Sequence, residues 1–133
     1  MKIDHLAIWC DDIEKMRTFY MRYFLCSCNS LYENPLKGFS SYFLSFPHGD
    51  CRIELMHRAC IGEAPSKRGF LKGLAHFDIE VGSREEVNLL VSRLRGDGWE
   101  IAGEPRITGD GFYEAVVLDP EGNYVELSAA AGL

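Results

Sequence analysis

The sequence lacks any apolar run that approaches the roughly 20 residues needed for a membrane-spanning helix. Its first residues also lack the charged-then-apolar pattern of a secretory signal. Basic residues are the minority charge, with 14 Lys and Arg against 20 Asp and Glu and a formal net charge of −6. We therefore expect a cytoplasmic protein whose partners include neither nucleic acid nor membrane.

The cysteines lack the spacing of a disulfide framework or of a zinc-binding Cys-x-x-Cys pair. Their number, five, is odd, and only one residue separates Cys26 from Cys28. In a reducing compartment we expect free thiols. The remaining composition, 47% hydrophobic and 26% charged, is ordinary for a globular chain.

The first 56 residues predict a strand, a capped helix and three further strands. The strand runs from Ile3 to Trp9 and is rich in apolar residues. Asp11, followed three residues later by Glu14, forms a capping-box pattern, and apolar residues at helical spacing extend a helix to about Leu25. The three further strand candidates are Asn29 to Tyr32, Ser41 to Phe46 and Cys51 to Met56.

Residues 74–128 predict the same order of elements. Leu74 to Val81 is a strand candidate, and Ser83 with Glu86 forms a second capping box before a helix that ends at Gly96 or Gly98. The three further strand candidates are Trp99 to Ala102, Tyr113 to Leu118 and Asn123 to Ser128, and the last two are joined by Asp119-Pro120-Glu121-Gly122, which suits a type I turn.

The spacing of matched residues indicates an internal repeat. His76 follows His5 by 71 residues, and Glu126 follows Glu54 by 72. We therefore expect one domain over residues 1–133, made of repeat 1 (1–56), a glycine-containing linker (57–73) and repeat 2 (74–128). The predicted class is α+β, with tandem βαβββ modules whose sheets form a curved, incomplete barrel and whose helices pack outside.

Two histidines and two glutamates occupy equivalent places in the repeats. His5 and His76 lie in the first strands, and Glu54 and Glu126 lie in the last strands. Equivalent strands approach one another near a pseudo-twofold axis, so the four side chains are candidates to converge. Two imidazoles and two carboxylates suit a divalent transition metal and leave positions open for a substrate.

Each of these residues also has a simpler interpretation. A lone strand histidine is more often partly buried and satisfied by a neighbour than a metal ligand. A glutamate such as Glu54 can lie on an exposed strand face, paired with Arg52 or another neighbour. Asp78 shares a strand face with His76 and is either a partner that orients it or simply exposed to solvent. The matched pairs at equivalent positions favour the metal site.

Three stretches of sequence resemble a known superfamily. His5-Leu6-Ala7-Ile8 precedes a capped helix, and Leu74-Ala75-His76-Phe77 opens the second repeat. The closing stretch, which includes Leu118-Asp119-Pro120-Glu121-Gly122-Asn123, is the most specific. Over essentially its whole length the chain resembles the vicinal oxygen chelate superfamily, and within it the glyoxalase I (lactoylglutathione lyase) and bleomycin-resistance-like group.

The resemblance implies a ligand set, a reaction and an assembly. The glyoxalase I set of His, Glu, His and Glu corresponds to His5, Glu54, His76 and Glu126, around one divalent ion such as Ni, Zn, Co, Mn or Fe. The implied enzyme is a glyoxalase I-like lyase or isomerase of a hemithioacetal, formed from a 2-oxoaldehyde and a thiol cosubstrate, through an enediolate. Glu126 is the first candidate for the catalytic base and Glu54 the second. Family members usually form homodimers.

Other members of the superfamily supply the alternatives. Methylmalonyl-CoA epimerases typically have Gln at the position of Glu54. Fosfomycin-resistance transferases and ring-cleaving dioxygenases typically use three ligands, and bleomycin-binding proteins have no metal set. The complete quartet favours the glyoxalase type. An epimerase, a thiol transferase and a metal-free protein that binds a small molecule such as an antibiotic remain the alternatives.

Overall fold

The computed structural model describes residues 1–130 and residue 132, which form two compact units, Met1–Glu63 and Ala64–Leu133. Each unit has one helix against one mixed sheet. Neither sheet closes on itself within the described chain, since each has two distinct edge strands. The predicted α+β class is confirmed.

The first unit has one more strand than predicted. Its sheet has the order β1-β5-β4-β2, with β3 also paired to β4, and β1 runs parallel to β5. A single 3-10 turn, Pro35–Lys37, separates β3 from β4. The elements are β1 (His5–Trp9), α1 (Ile13–Tyr23), β2 (Ser27–Cys28), β3 (Tyr32–Asn34), β4 (Phe39–Ser45) and β5 (Arg52–Arg58).

The second unit follows the predicted order. Its sheet has the order β6-β9-β8-β7, and β6 runs parallel to β9 as β1 does to β5. The elements are β6 (His76–Gly82), α2 (Arg84–Gly96), β7 (Ile101–Ile107), β8 (Tyr113–Leu118) and β9 (Tyr124–Ala129). In each unit the first strand therefore pairs in parallel with the last strand.

Each helix covers one face of its own sheet. α1 contacts β4 and β5, and α2 contacts β7, β8 and β9. Burial of apolar surface at about 25 cal/mol per Å² drives both contacts. The buried side chains are Met16, Phe19, Tyr20, Tyr23, Tyr42, Leu44, Ile53 and Leu55 in the first unit, and Val87, Val91, Leu94, Ala115, Val117, Val125 and Leu127 in the second.

Two local predictions in the first unit are wrong. Asp12, not Asp11, caps α1, and its side chain accepts a hydrogen bond from the Lys15 amide at 2.9 Å. Glu14 lies two residues after Asp12, one position too early for a capping box, and its carboxylate accepts a hydrogen bond from the Tyr42 hydroxyl at 2.6 Å. The helix also ends at Tyr23, before the predicted end at Leu25.

In place of the strand predicted over residues 29–32, the structure has two shorter strands, β2 before this span and β3 from its last residue onwards. Asn29 pairs irregularly with Phe43: its side-chain oxygen accepts from the Phe43 amide at 2.7 Å, while its own amide donates to the Phe43 carbonyl at 3.3 Å. A side chain that replaces a backbone acceptor interrupts the regular ladder. Of the predicted span, only Tyr32 lies in a strand.

The second capping box is confirmed. Ser83 Oγ accepts from the Glu86 amide at 3.3 Å, and the Glu86 carboxylate accepts from the Ser83 amide at 2.6 Å. The turn before β9 is confirmed as well, because the Gly122 amide donates to the Asp119 carbonyl at 3.0 Å. Both features involve residues at most four apart, so the local sequence is enough to predict them.

Ser83→Ala is expected to lower the free energy of unfolding by about 0.5–2 kcal/mol, because the first turn of α2 loses the acceptor of its cap. Urea denaturation followed by circular dichroism measures the change. Ser92→Ala, at an exposed position of the same helix, is the control and should be neutral or slightly stabilising. Equal stabilities of the two variants would contradict a role for the capping box.

The described chain has free cysteines and two short helices. All five cysteines are free, and burial raises the pKa of the Cys26 thiol to about 11, which keeps it protonated and unreactive. Among the described residues, neither the 11-residue α1 nor the 13-residue α2 is long or apolar enough to cross a bilayer.

Candidate functional site

Strand alternation places both candidate glutamates on the sheet face that the helix does not cover. In β5, Ile53 and Leu55 are buried towards α1, and Glu54 between them faces the other way. In β9, Val125 and Leu127 are buried towards α2, and Glu126 lies between them. The two carboxylates are thus presented in the same manner by the last strand of each unit.

The parallel pairing brings one histidine to each glutamate. Ala7 lies opposite Glu54, so His5 is the diagonal neighbour of Glu54, two residues away along β1. Asp78 lies opposite Glu126, and His76 is the diagonal neighbour in the same direction. His5 Nε2 lies 3.6 Å from Glu54 Oε2, and His76 Nε2 lies 3.0 Å from Glu126 Oε2. Each unit therefore contains one His–Glu pair of the same construction.

The four predicted ligands form two pairs, and each pair lies within its own unit. Among residues 1–130 and residue 132, no group of three or more His, Cys, Asp or Glu side chains lies close enough together to hold a metal ion. The convergence of the four residues on one ion stays a prediction.

The two pairs share the same pattern of exposure. The histidine side chains are 39% and 46% exposed for His5 and His76, whereas the carboxylates are 15% and 20% exposed for Glu54 and Glu126. In each pair the glutamate is sheltered and the imidazole reaches solvent. The imidazole of each pair is therefore open to a ligand from outside.

The donor set suits a metal of borderline softness. Imidazole nitrogen and carboxylate oxygen both bind Zn²⁺ and similar ions at about 2.0–2.2 Å, which places two such donors about 3 Å apart when they subtend a right angle. The separations of 3.6 and 3.0 Å fall near this value. A single pair supplies two donors, so a firmly held ion requires ligands from both units or from another molecule.

The first pair lies in a network of charged and aromatic side chains. Asp4 Oδ2 accepts from His5 Nδ1 at 2.9 Å and from the Arg52 guanidinium at 2.7 Å. These hydrogen bonds, that with His5 first, lower the pKa of Asp4 to about 2. The Arg52 guanidinium also lies 4.4 Å from the centre of the Phe43 ring. Arg52 thus pairs with Asp4, and the alternative pairing with Glu54 is wrong.

The second pair lies among acidic side chains. Ser128 donates to Asp78 at 2.7 Å, and Arg106 pairs with Glu114 at 3.1 Å. Burial raises the pKa of Glu126, the neighbouring His76 opposes that rise, and the charges of Glu114 and Asp78 add to it. Asp78 is exposed, as one of the two interpretations of the sequence had it, and it is also hydrogen-bonded.

Sequence reasoning missed Asp4 and the partner of Arg52. The available signals were a carboxylate directly before a candidate ligand, Asp4-His5, and an arginine two residues before the candidate Glu54. Neither signal links the two residues, because Asp4 and Arg52 are 48 positions apart and meet only through the pairing of β1 with β5.

Several solved structures have the same fold as this chain. The trypanothione-dependent glyoxalase I of Leishmania major is 22% identical, with a TM-score of 0.77 over 97% of this chain and 86% of that one. A glyoxylase/bleomycin resistance protein/dioxygenase domain from Frankia sp. EAN1pec is 16% identical, with a TM-score of 0.82 over 100% of this chain and 95% of that one. A glyoxalase I variant from Zea mays is 21% identical, with a TM-score of 0.77 over 96% of this chain and 44% of that one.

These identities are low enough that the structural likeness establishes the fold alone. No curated protein is similar enough in sequence to count as a match. The model of one family does match, and it does so over residues 2–127. Because that match spans almost the whole chain, the protein belongs to the Glyoxalase/Bleomycin resistance protein/Dioxygenase superfamily, the vicinal oxygen chelate proteins.

Proposed function

We propose that the protein is a glyoxalase-like, metal-dependent lyase or isomerase of a small substrate with vicinal oxygens, such as the hemithioacetal of a 2-oxoaldehyde and a thiol. One observation carries the proposal: two His–Glu pairs occupy equivalent register positions on the open faces of the two units. A single such pair is common on a protein surface, whereas a repeated pair in a duplicated fold indicates a shared task. The glyoxalase I neighbours support the same class.

His5, Glu54, His76 and Glu126 would together hold one divalent ion, such as Ni, Zn, Co, Mn or Fe. The two pairs would meet either within one chain or between two chains of a homodimer. Two imidazoles and two carboxylates balance the charge of a divalent ion and leave positions for two substrate oxygens. When bound, the ion would supply Lewis-acid stabilisation of the negative charge that develops on those oxygens.

The protein's own contribution to the chemistry is a proton transfer. The Glu126 carboxylate would remove the proton from the carbon that bears the hemithioacetal sulfur and deliver it to the adjacent carbonyl carbon, while the hydroxyl proton of the first carbon moves to the oxygen of the second. One carbon is oxidised as its neighbour is reduced, so the 2-hydroxythioester forms without an external oxidant. Glu126 is the first candidate for this base and Glu54 the second. Burial and the charges of Glu114 and Asp78 raise the pKa of Glu126, and the neighbouring His76 opposes that rise.

The test is the metal content of the purified protein. Elemental analysis of protein from metal-supplemented cells should find about one divalent ion for each site, that is, for every two His–Glu pairs. A Glu54→Ala, Glu126→Ala double variant should lose this ion. A Glu33→Ala, Glu63→Ala double variant removes two exposed glutamates elsewhere and should retain the metal. Wild-type protein that stays metal-free after reconstitution with Ni, Zn, Co and Mn would overturn the lyase proposal.

A metal-free binding protein is the second candidate, favoured by an aromatic cluster in the first unit. Trp9 lies 6.3 Å from Phe39, and Tyr32 lies 6.2 Å from Phe39, between ring centres. Strand alternation places Trp9 on the same face as His5. Such a cluster can stack a planar ligand. Saturable quenching of Trp9 fluorescence by bleomycin in chelator-treated protein, absent in Trp9→Phe, would support this candidate over the lyase.

A further inference from the structure

We propose that Asp4 is a positioning residue that sets the tautomer and orientation of His5, so that Nδ1 carries the proton and the Nε2 lone pair faces Glu54 and the metal. The inference rests on the proposed function, since it concerns how one ligand of that site is prepared. Asp4 is not one of the four residues of the glyoxalase-type ligand set.

The distances around the His5 ring assign its two nitrogens. An ionised carboxylate only accepts hydrogen bonds, and a neutral imidazole carries one proton. Asp4 Oδ2 lies 2.9 Å from Nδ1, within hydrogen-bonding distance, whereas Glu54 Oε2 lies 3.6 Å from Nε2. The proton of the neutral ring therefore belongs on Nδ1, which leaves Nε2 as the ligand atom. Carboxylate–histidine–metal arrangements of this kind orient the ring and raise its basicity.

Asp4 is itself held in place from β5. The Arg52 guanidinium donates to Asp4 Oδ2 at 2.7 Å, and the Arg52 amide donates to the Asp4 carbonyl at 3.0 Å. The same guanidinium stacks on Phe43, whose ring makes an edge contact with the His5 ring at 5.3 Å between centres. Asp4, His5, Phe43 and Arg52 thus form a closed cycle of contacts that restrains the imidazole on two sides.

Among the described residues of the second unit, the equivalent positions hold no counterpart of this cycle. Ala75 precedes His76, where Asp4 precedes His5, and Tyr124 lies opposite His76, where Arg52 lies opposite His5. Val116 lies opposite Glu126, where Phe43 lies opposite Glu54. The two halves of the proposed site are therefore prepared differently, and removal of the Asp4 carboxylate should affect His5 alone.

The first test uses metal-free protein and so does not depend on turnover. Long-range ¹H–¹⁵N spectra at about pH 9, well above the usual imidazole pKa, report which ring nitrogen carries the proton, and His5→Gln assigns the His5 signals. Wild-type protein should show His5 protonated on Nδ1. Asp4→Ala should move His5 towards the Nε2-protonated tautomer and leave His76 unchanged, whereas Asp50→Ala, an exposed aspartate in a turn, should change neither.

The second test measures zinc affinity by competition with a chromophoric chelator. Asp4→Ala should weaken zinc binding about 10–100-fold, Asp50→Ala should not, and Asp4→Ala should add nothing in a His5→Gln background. Circular dichroism establishes that each variant is folded. Unchanged zinc affinity in Asp4→Ala, or an unchanged His5 tautomer, would overturn the inference and leave Asp4–Arg52 as a structural ion pair. Wild-type protein that binds none of Ni, Zn, Co and Mn would instead overturn the proposed function, and the spectra would still decide the role of Asp4 in the tautomer.

Discussion

Glu126→Gln is expected to lower kcat by about 10²–10⁴-fold, because the variant keeps the shape of the side chain and loses the base that moves the proton. Turnover is followed as thioester absorbance with methylglyoxal and a series of thiols, and metal content is measured in parallel. The fold should be preserved, since Glu126 lies on the open face of β9 while its neighbours Val125 and Leu127 form the core.

Glu54→Gln is the matched control, because Glu54 occupies the equivalent register position in the first unit. It should reduce metal affinity and turnover together, whereas Glu126→Gln should reduce turnover beyond any loss of metal. Near-normal turnover in Glu126→Gln would remove this residue from the mechanism. A larger loss in Glu54→Gln, at equal metal occupancy, would assign the base to Glu54.

Gly122→Ala is expected to destabilise the second unit by about 2–5 kcal/mol, the sum of a left-handed backbone and a steric clash. Gly122 has φ of +82°, and a Cβ there would lie 1.7 Å from the Ser66 carbonyl oxygen. Near Ser66 in the chain, the Arg68 amide also donates a hydrogen bond to the Gly122 carbonyl at 2.9 Å. Urea denaturation gives the free energy of unfolding.

Gly98→Ala separates the two causes of this destabilisation. Gly98 has φ of +90°, but a Cβ there would meet nothing within 4 Å. It should therefore cost only the left-handed conformation, about 1–2 kcal/mol. Equal losses for the two variants would mean that the segment around Ser66 does not pack on the turn in solution.

Local sequence patterns predicted most of the secondary structure where the competing contacts are also local. Ser83 and Glu86 cap α2 as predicted because the hydrogen bonds of a capping box join residues three apart. The same pattern failed at Asp11 and Glu14: Asp12 caps α1 instead, and the Glu14 carboxylate accepts a hydrogen bond from the hydroxyl of Tyr42, 28 residues away. A pattern of adjacent residues carries no information about such a distant partner.

The candidate site also has one part that could be predicted from the sequence and one part that could not. The duplication identified His5, Glu54, His76 and Glu126 from spacing alone, because a repeated fold places equivalent residues in equivalent environments. The contacts of Asp4 with Arg52 depend on the register of β1 against β5 and could not be read from spacing. These contacts also make the two halves of the site unequal.

The sequence by itself determined the α+β class, the βαβββ order of the second unit and the four residues of the two pairs. These features could be predicted because strand alternation, helix capping and duplication all depend on the order of residue types along the chain. Only the tertiary structure decided that each histidine meets the glutamate of its own unit, and that an Asp4–Arg52 pair supports one histidine but not the other. Those outcomes follow from parallel pairing between strands at opposite ends of each unit, which is set by the packing of the whole sheet against its helix.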